Sequence, residues 1–320
     1  MSAIPFVTLD DPRYGVAVQV SPLVRRVIAN NPSKYTYLGT GTYIVGHGDV
    51  AVIDPGPTID GHRDALAAAL AGERVRTIVV THCHGDHSPL AAWLHETTGA
   101  PTVAFGPHGA VDEEPDEPDP DDVAADDAAE APDPHDEPKE TLDLAFDPDL
   151  RVADGEVAAT GPGYTLRAVH TPGHTSNHMC YALDEARALF TGDHVMGWST
   201  TIVSPPDGDM RGYIDSLRKV QGRADAVLWP THGAPVTDPA PFLQAYLDHR
   251  LEREAQVLEM VRAGVTKIVD IVDILYVDVK PELHKPARRS VLAHLVKLVD
   301  DGHVACDTEK PRVRSIYTPV

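Results

Sequence analysis

The chain has 320 residues, 42% of them hydrophobic, and a formal net charge of −22. This length predicts one large domain with a smaller one, and the apolar content is sufficient for a buried core. No run approaches 18 uninterrupted apolar residues, and no basic stretch followed by an apolar one stands at the N-terminus. The sequence therefore predicts no membrane segment and no export signal.

The negative charge is concentrated in one segment. Fifteen acidic residues and one lysine fall within residues 112–140, together with many prolines and almost no large apolar side chains. Such a composition cannot bury enough surface to offset its ordering entropy. It predicts a solvated, mobile insert at about residues 110–141, and the charge of the whole chain mostly describes this insert.

The first half of the chain alternates short β-type runs with turns and helices. Residues 42–45 and 50–53 flank a His-Gly-Asp turn and are typical of a hairpin. A helical pattern at residues 61–70, a buried strand at 78–80 and a helix at 89–97 follow. After the insert, strands are predicted at residues 164–169, 179–183, 188–190 and 226–229, with a helix at 210–220. Two β-rich halves flanked by helices indicate an α+β sandwich.

The pattern changes after residue 239. A long amphipathic helix is predicted at residues 242–263, and helices at 267–275 and 285–300 precede short strands at 303–306 and 313–317. Helices that close on a β-hairpin are typical of a small winged-helix domain. We place the boundary at residue 264, which gives a first domain over residues 1–263 and a winged-helix domain over 264–320.

The cysteines indicate the compartment. Cys83, Cys180 and Cys306 are widely separated and form no Cys-x-x-Cys pair. An odd number without a pairing pattern argues against a disulfide framework and predicts a reducing, cytoplasmic location. Cys83 is expected to pack in the core, with a role as a metal ligand as the alternative.

Candidate metal ligands follow several of the predicted strands. A tight loop after the strand at 78–80 can aim His82, His84, Asp86 and His87 inward, and zinc accepts imidazole nitrogen and carboxylate oxygen. His174, Asp193 and His232 each stand in a separate turn after a β-type run. The sequence thus offers ligands for two metal shells.

These motifs resemble those of the metallo-beta-lactamase superfamily over residues 39–236. His-Cys-His-Gly-Asp-His, Pro-Gly-His-Thr, Phe-Thr-Gly-Asp and Pro-Thr-His-Gly occur in the order found in that family. The resemblance implies a four-layer αβ/βα sandwich with a binuclear zinc site, although Fe or Mn also suits mixed His/Asp ligands. It assigns His82, His84 and His174 to one metal, Asp86, His87 and His232 to the second, and Asp193 to both.

The resemblance also implies a mechanism. Two metals about 3.5–4 Å apart bridge a water, lower its pKa and polarise the oxygen under attack. Asp86 and Asp193 are the expected catalytic carboxylates, and Asp54 matches an aspartate that orients ligand histidines. His178 is a candidate for contacting substrate or protonating the leaving group, with a packed histidine as the alternative. Thr200 and Thr201 are candidates for lining the cleft.

A finer resemblance covers almost the whole chain. Residues 31–33, 37–43 and 171–179, and His249-Arg250 before the tail, look like the beta-lactamase-like protein 2 branch, whose mitochondrial member is a single-strand endoribonuclease. For this chain we expect hydrolysis of a small acyl substrate, such as a thioester, lactone or related ester, by a metal-bridged hydroxide. A thioesterase of the glyoxalase II type ranks lower, because its C-terminal helices differ from a winged helix.

Two alternatives involve nucleic acid. An endoribonuclease or phosphodiesterase acting on single-stranded RNA would use basic residues of the tail. These residues are Lys285, Arg288, Arg289, Lys297, Lys310, Arg312 and Arg314. A non-catalytic nucleic-acid-binding protein is the other alternative. The tail could instead only pack on the first domain and shape its cleft or a homodimer contact.

Overall fold

A computed structural model of the chain describes residues 4–109, 141–277, 279 and 283–320. The acidic insert predicted at residues 112–140 lies outside the described residues. No helix in the described part of the chain is long and apolar enough to cross a membrane.

Within the described ranges, seven strands form the first sheet, in chain order. They are β1 (Val18–Ser21), β2 (Val24–Ile28), β3 (Gly41–Val45), β4 (Asp49–Ile53), β5 (Arg74–Val79), β6 (Thr102–Ala104) and β7 (Leu150–Arg151). Strands β1 to β4 are antiparallel, and β4 to β7 are parallel. The hairpin predicted at residues 42–53 is therefore confirmed as β3 and β4.

Two helices cover the outer face of this sheet, α1 (Asp60–Ala69) and α2 (Leu90–Thr98). Their apolar positions, among them Leu66 and Leu94, are buried against Ile44 and Ile78 of the sheet. Residue Gly99 ends α2 in the left-handed conformation, which glycine adopts without steric cost.

A second sheet contains five strands of the part that the structure describes, in the order β12-β11-β10-β9-β8. They are β8 (Val157–Gly161), β9 (Tyr164–His170), β10 (Met179–Leu183), β11 (Ala188–Gly192) and β12 (Val227–Pro230). Neighbours are antiparallel except β11 and β12, which run parallel. Helices α3 (Met210–Gln221) and α4 (Pro239–Arg262) cover the outer face of this sheet.

The two sheets pack face to face over a shared apolar core. Tyr43 of the first sheet contacts Phe190 and Trp229 of the second, with ring centroids 5.0 Å and 6.2 Å away. Together with the two outer helix layers, this packing confirms the four-layer αβ/βα sandwich. Burial of these large side chains is the dominant stabilising contribution.

The C-terminal part is a winged-helix domain. Helices α5 (Ile268–Leu275) and α6 (His284–Asp300) pack beside a hairpin of β13 (Val304–Cys306) and β14 (Tyr317–Pro319). Their core includes Val257 and Val261 from the last turns of α4. Helix α4 therefore contributes to two cores, and the boundary at residue 264 stays a prediction.

One predicted strand is wrong. The sequence favoured a strand at residues 313–317, whereas the observed strand is β14 at Tyr317–Pro319. A turn occupies the preceding residues, where the Arg312 N–H donates to Ser315 Oγ at 3.1 Å and the Ser315 N–H donates to the Arg312 carbonyl at 3.2 Å. Local hydrogen bonds of Ser315 thus form a turn where strand pairing was expected.

Candidate metal centre

The seven predicted ligands meet at one edge of the sandwich. They follow the C-terminal ends of β5, β9, β11 and β12. One group comprises His82, His84, His174 and Asp193, and a second comprises Asp86, His87 and His232; within each group one ligand atom per residue lies within 4.8 Å of the others. All are buried except Asp86, whose side chain is 21% exposed. Solvent therefore reaches the cluster beside Asp86.

The loop after β5, residues 81–87, is held by the chain that returns from the insert. The Gly85 N–H donates to the Thr141 carbonyl at 2.6 Å, and the Asp143 N–H donates to the Cys83 carbonyl at 2.8 Å. A Cβ atom at Gly85 would lie 2.2 Å from Thr141 Oγ1, so only glycine permits this approach. The loop is therefore fixed from outside as well as by β5.

Most of the ligand histidines are oriented by hydrogen bonds at the ring nitrogen that faces away from the cluster. His174 Nδ1 lies 2.7 Å from the Ile202 carbonyl, and His232 Nδ1 lies 3.2 Å from the Gly39 carbonyl. A carbonyl can only accept, so each Nδ1 carries a proton, and Nε2 is the nitrogen through which each ring could bind a metal.

Asp54 fixes two more of these histidines. Its carboxylate accepts from the Thr81 N–H and Thr81 Oγ1, both at 2.8 Å, and from His87 Nδ1 at 3.0 Å. Thr81 Oγ1 in turn lies 3.0 Å from His82 Nδ1. Asp54 adopts a φ of +49°, a conformation that is rare for residues other than glycine. One buried carboxylate thus sets the orientation of His82 and His87.

The ring nitrogens and carboxylate oxygens that face the centre of the cluster are better suited to binding a metal than to hydrogen bonding with one another. His82 Nε2 and His174 Nε2 approach His84 Nδ1 at 2.8 Å and 3.1 Å. Among the described residues, His87 Nε2 and Asp193 Oδ1 are buried without a hydrogen-bond partner. Buried polar atoms without partners are costly, and imidazole nitrogens with a carboxylate oxygen are a donor set that divalent transition metals bind. The residues present fit a divalent metal.

The electrostatics differ between the two groups. Burial and the surrounding imidazoles lower the pKa of His82 well below its usual value, and burial lowers the pKa of His84 to about 4. Burial opposes protonation at His87 and His232 too, but the neighbouring carboxylates outweigh it. They raise the pKa of His87 well above its usual value and that of His232 to about 10. A field that favours a bound proton also favours a divalent cation.

His178 lies behind Asp193. Its ring is fully buried, Nδ1 lies 2.9 Å from Thr171 Oγ1, and Nε2 accepts from the Asp193 N–H at 3.2 Å. Both ring nitrogens are therefore occupied. This placement gives no support to substrate contact or to protonation of a leaving group by His178.

The loop after β11 is braced by helices α3 and α4. Thr201 Oγ1 donates to the carbonyls of Asp193 and His194, at 2.8 Å and 3.0 Å. Tyr246 of α4 accepts from the Thr201 N–H at 2.8 Å, and Arg250 of α4 donates to the Thr201 carbonyl. Thr201 is buried and holds the loop, whereas its neighbour Thr200 is half-buried.

The Cys83 thiol points away from the cluster and into the core beneath α2. Cys83 Sγ accepts from Asn177 Nδ2 at 3.0 Å, and burial raises the pKa of the Cys83 thiol to about 11. The thiol therefore stays protonated at neutral pH, in keeping with a packing role.

Sequence reasoning missed Thr40. Its hydroxyl donates to Asp86 Oδ2 at 2.7 Å, and Asn31 holds Thr40 through hydrogen bonds of 2.9 Å to its N–H and its hydroxyl. The signal was the flanking pair Gly39 and Gly41: a Cβ at Gly39 would lie 2.0 Å from the Ala29 carbonyl. Glycines on both sides of a polar residue indicate a close backbone approach.

The family follows from comparison with known proteins. The model of the metallo-beta-lactamase superfamily matches residues 38–232, and that of the beta-lactamase associated winged helix domain matches residues 268–310. The chain belongs to the metallo-beta-lactamase superfamily and is a hydrolase of that fold.

Among curated proteins it is similar to the atrochrysone carboxyl ACP thioesterase AgnL7 of Paecilomyces divaricatus, with 32% identity over 91% of this chain and 84% of the relative. It is also similar to a beta-lactamase-like protein 2 homolog of Caenorhabditis elegans, with 29% identity over 89% of this chain and 87% of the relative. The predicted resemblance to that branch is confirmed.

A solved structure supports the fold over nearly the full length. A beta-lactamase domain protein from Burkholderia ambifaria superposes with a TM-score of 0.75 at 21% identity, covering 97% of this chain and 95% of the other. At this identity the likeness concerns the fold alone. It extends through the winged-helix domain, because the coverage leaves almost no residue out.

Proposed function

We propose that this protein is a metal-dependent thioesterase that hydrolyses an acyl thioester at a binuclear centre, with zinc as the metal that best suits the ligands. The observation that carries the proposal is the convergence of six buried His and Asp side chains with the partly exposed Asp86, in a chain similar to named thioesterases over 91% of its length. The widely spaced cysteines support a reducing compartment such as the cytoplasm.

We assign the ligands as in the family: His82, His84 and His174 to one ion, Asp86, His87 and His232 to the other, and Asp193 to both. When bound, the ions would polarise the thioester carbonyl and activate a water for attack. The water oxygen bonds to the carbonyl carbon as a proton of the water passes to Asp86. The carbon–sulfur bond then breaks with its electron pair on sulfur, and Asp86 returns the proton to the thiolate, which leaves as the thiol.

Asp86 is the group that we assign to receive the proton of the attacking water. It is the most exposed member of the cluster, with 21% of its side chain accessible. The hydrogen bond from Thr40 Oγ1 to Asp86 Oδ2 at 2.7 Å fixes the carboxylate in place. We assign His178 a positioning role, since it accepts from the Asp193 N–H and touches no exposed surface.

Helix α6 of the winged-helix domain favours a small substrate, although Lys310, Arg312 and Arg314 near the hairpin are exposed. Consecutive residues 291–295 of α6 are all buried, so the middle of this helix has no face to offer a nucleic acid. Lys297 Nζ contacts Glu254 Oε1 and Asp301 Oδ2, each at 2.8 Å, so its charge is already neutralised. Recognition of RNA would need basic groups available to phosphates.

The test is a parallel assay of metal-loaded protein on an acyl thioester, a lactone, a bis-phosphodiester and single-stranded RNA. We expect thioester hydrolysis, its loss on chelation of the metal, and a fall of at least about a hundredfold in kcat for Asp86→Ala. The matched control is Asp60→Ala, which removes an exposed carboxylate paired with Arg63 on the surface of α1.

Two outcomes would overturn the proposal. The first is thioester hydrolysis that persists in Asp86→Ala or after chelation, because the metal centre would then not carry the reaction. The second is RNA cleavage that depends on Asp86 without any turnover of thioesters. That result would favour the endoribonuclease.

A further inference from the structure

Two aromatic rings stack beside the exposed edge of the metal centre. The rings of Tyr37 and Trp198 lie 4.8 Å apart with an interplanar angle of 13°. They come from loops distant in sequence, one before β3 and one after β11. Both residues are half-buried, so part of each remains accessible.

One contact and one short stretch of chain connect this stack to the metal ligands. Trp198 packs over Gly233, where a Cβ would lie 3.0 Å from the indole Cδ1, and Gly233 directly follows the ligand His232. Tyr37 stands three residues before Thr40, whose hydroxyl donates to Asp86. Since Asp86 is where solvent reaches the cluster, the stack lies on the substrate side.

The loop that carries Tyr37 is held in a strained conformation. Tyr37 has a φ of +56°, which a side-chain-bearing residue rarely adopts. Hydrogen bonds fix it there: the Ser33 N–H donates to the Tyr37 carbonyl at 3.2 Å, and the Gly39 N–H donates to the Thr36 carbonyl at 2.8 Å. Backbone strain that the surroundings maintain is concentrated at functional positions.

The chemistry of the stack selects one kind of ligand. Trp198 Nε1 is buried and has no hydrogen-bond partner among the residues that the structure describes, so its indole offers only carbon to a ligand. Parallel aromatic rings favour a further planar π-system in an offset stack. The loop at residues 197–204 contains no lysine or arginine, so it offers no positive side chain to a phosphate backbone.

We infer that Tyr37 and Trp198 form an aromatic platform that binds a planar, unsaturated acyl group of the substrate. The inference rests on the proposed thioesterase function and deepens it, because it names the part of the substrate that the protein selects. The platform orients the acyl chain while its thioester carbonyl lies at the metal centre.

The experiment compares benzoyl and acetyl thioesters of N-acetylcysteamine. We expect the metal-loaded protein to prefer the benzoyl substrate in kcat/KM, and Trp198→Ala and Tyr37→Leu to lose roughly tenfold of that preference. Trp198→Phe keeps a ring and should retain most of it. Trp93→Leu, which replaces a half-buried tryptophan on α2, is the matched control and should leave the preference unchanged.

The metal content of each variant separates this role from a structural one. If Trp198 only supported His232, Trp198→Ala would lose metal and slow both substrates equally. Loss of metal with both substrates slowed equally would overturn the platform. An unchanged preference for the benzoyl substrate in a Trp198→Ala protein with full metal content would overturn it too. A platform that binds a nucleobase would instead show weaker oligonucleotide binding in Trp198→Ala with no change in acyl preference, which overturns the inference too.

Binding of a non-hydrolysable analogue keeps this inference distinct from the proposed function. In an aryl ketone that carries CH2 in place of the thioester sulfur, we expect calorimetry to show roughly tenfold weaker binding to Trp198→Ala. If this difference appears but no thioester is hydrolysed, the proposed function fails and the platform stands. If thioesters are hydrolysed and neither preference nor binding changes, the platform fails alone.

Discussion

Single residues decide how well this site can hold a metal, and Asp54 orients two of the ligand histidines. It accepts hydrogen bonds from the Thr81 N–H, the Thr81 hydroxyl and His87 Nδ1. The two histidines that it orients belong to different ligand groups, His82 through Thr81 and His87 directly. A change at Asp54 should therefore act on the whole cluster rather than on one ion.

We predict that Asp54→Asn weakens metal binding by roughly 10- to 100-fold, because the amide cannot accept all the hydrogen bonds that fix His82 and His87. Competition with a chromogenic chelator measures the affinity. Asp49→Asn, at the start of the same strand and paired with Arg74 at the surface, is the control and should bind metal like the unchanged protein. Equal affinities for the two variants would contradict the prediction.

Gly85 illustrates a requirement for space rather than for an unusual backbone angle. We predict that Gly85→Ala destabilises the protein by about 1–3 kcal/mol, since the added Cβ would lie 2.2 Å from Thr141 Oγ1. Urea unfolding measures the loss. Adding Thr141→Ala removes the nearest atom and should recover part of it.

The control for this change is Gly61→Ala in α1, where a Cβ meets no atom of the described residues within 4 Å. Alanine there should be neutral or stabilise by up to about 0.5–1 kcal/mol, because it restricts the unfolded chain. If Gly85→Ala is as stable as Gly61→Ala, close packing of Thr141 against Gly85 does not brace the metal loop.

At the scale of elements, α4 links the metal site to the winged-helix domain. Tyr246 contacts the loop after β11, and three turns further along, Val257 packs in the winged-helix core. Helix α4 therefore packs against the metal-site loop and in the winged-helix core, and its length lets it reach both. The stability of the loop that carries Asp193 depends on this helix.

We predict that Tyr246→Phe lowers the free energy of unfolding by about 1–3 kcal/mol, because the buried Thr201 N–H and the part-buried Ser199 carbonyl both lose their hydrogen bond to Tyr246. Tyr213→Phe is the comparison: its hydroxyl makes one hydrogen bond in this region, to the His194 carbonyl at 2.7 Å. Tyr213→Phe should lower the free energy of unfolding by less than Tyr246→Phe does. Urea unfolding that ranks the two in the opposite order would contradict this account.

The elements also show what the sequence could predict. Helices and strands with a clear period were found within a few residues, and the ligands could be found because four of them lie within six residues. Strand β2 was missed because Arg25 and Arg26 interrupt its apolar pattern, although Arg26 is buried and donates to the Gly233 carbonyl at 2.8 Å. The Gly233 carbonyl that Arg26 contacts lies 207 residues further along the chain, and no local sequence pattern indicates such a contact.

The same limit applies to the site. Asp86 and His232 stand in recognisable motifs, whereas the role of Thr40 depends on a hydrogen bond across 46 residues. The catalytic role of His178 stays a prediction: its motif left chemistry and packing open, and its burial and two hydrogen bonds favour packing. Residue type and spacing indicate which groups can bind a metal, and only packing shows which of them reach the cleft.

At the scale of the whole molecule, the junction between α4 and α6 contains two histidines kept neutral. Burial, with the positive charges of Arg250 and Arg253, lowers the pKa of His249 to about 4. Burial also lowers the pKa of His294, which lies 3.6 Å from Glu254. The winged-helix domain therefore packs on groups that resist protonation.

This junction predicts a loss of stability in acid. In the unfolded chain both histidines bind a proton near pH 6.5, whereas folded His249 does so near pH 4, so the unfolded state binds more protons between these values. The free energy of unfolding should therefore fall as the pH drops from 6.5 towards 4. Urea unfolding at pH 7.5 and pH 5, with metal chelated throughout, measures this fall. His249→Gln with His294→Gln removes both protonation sites and should make the fall smaller, and an equal fall in the two proteins would show that acid acts elsewhere.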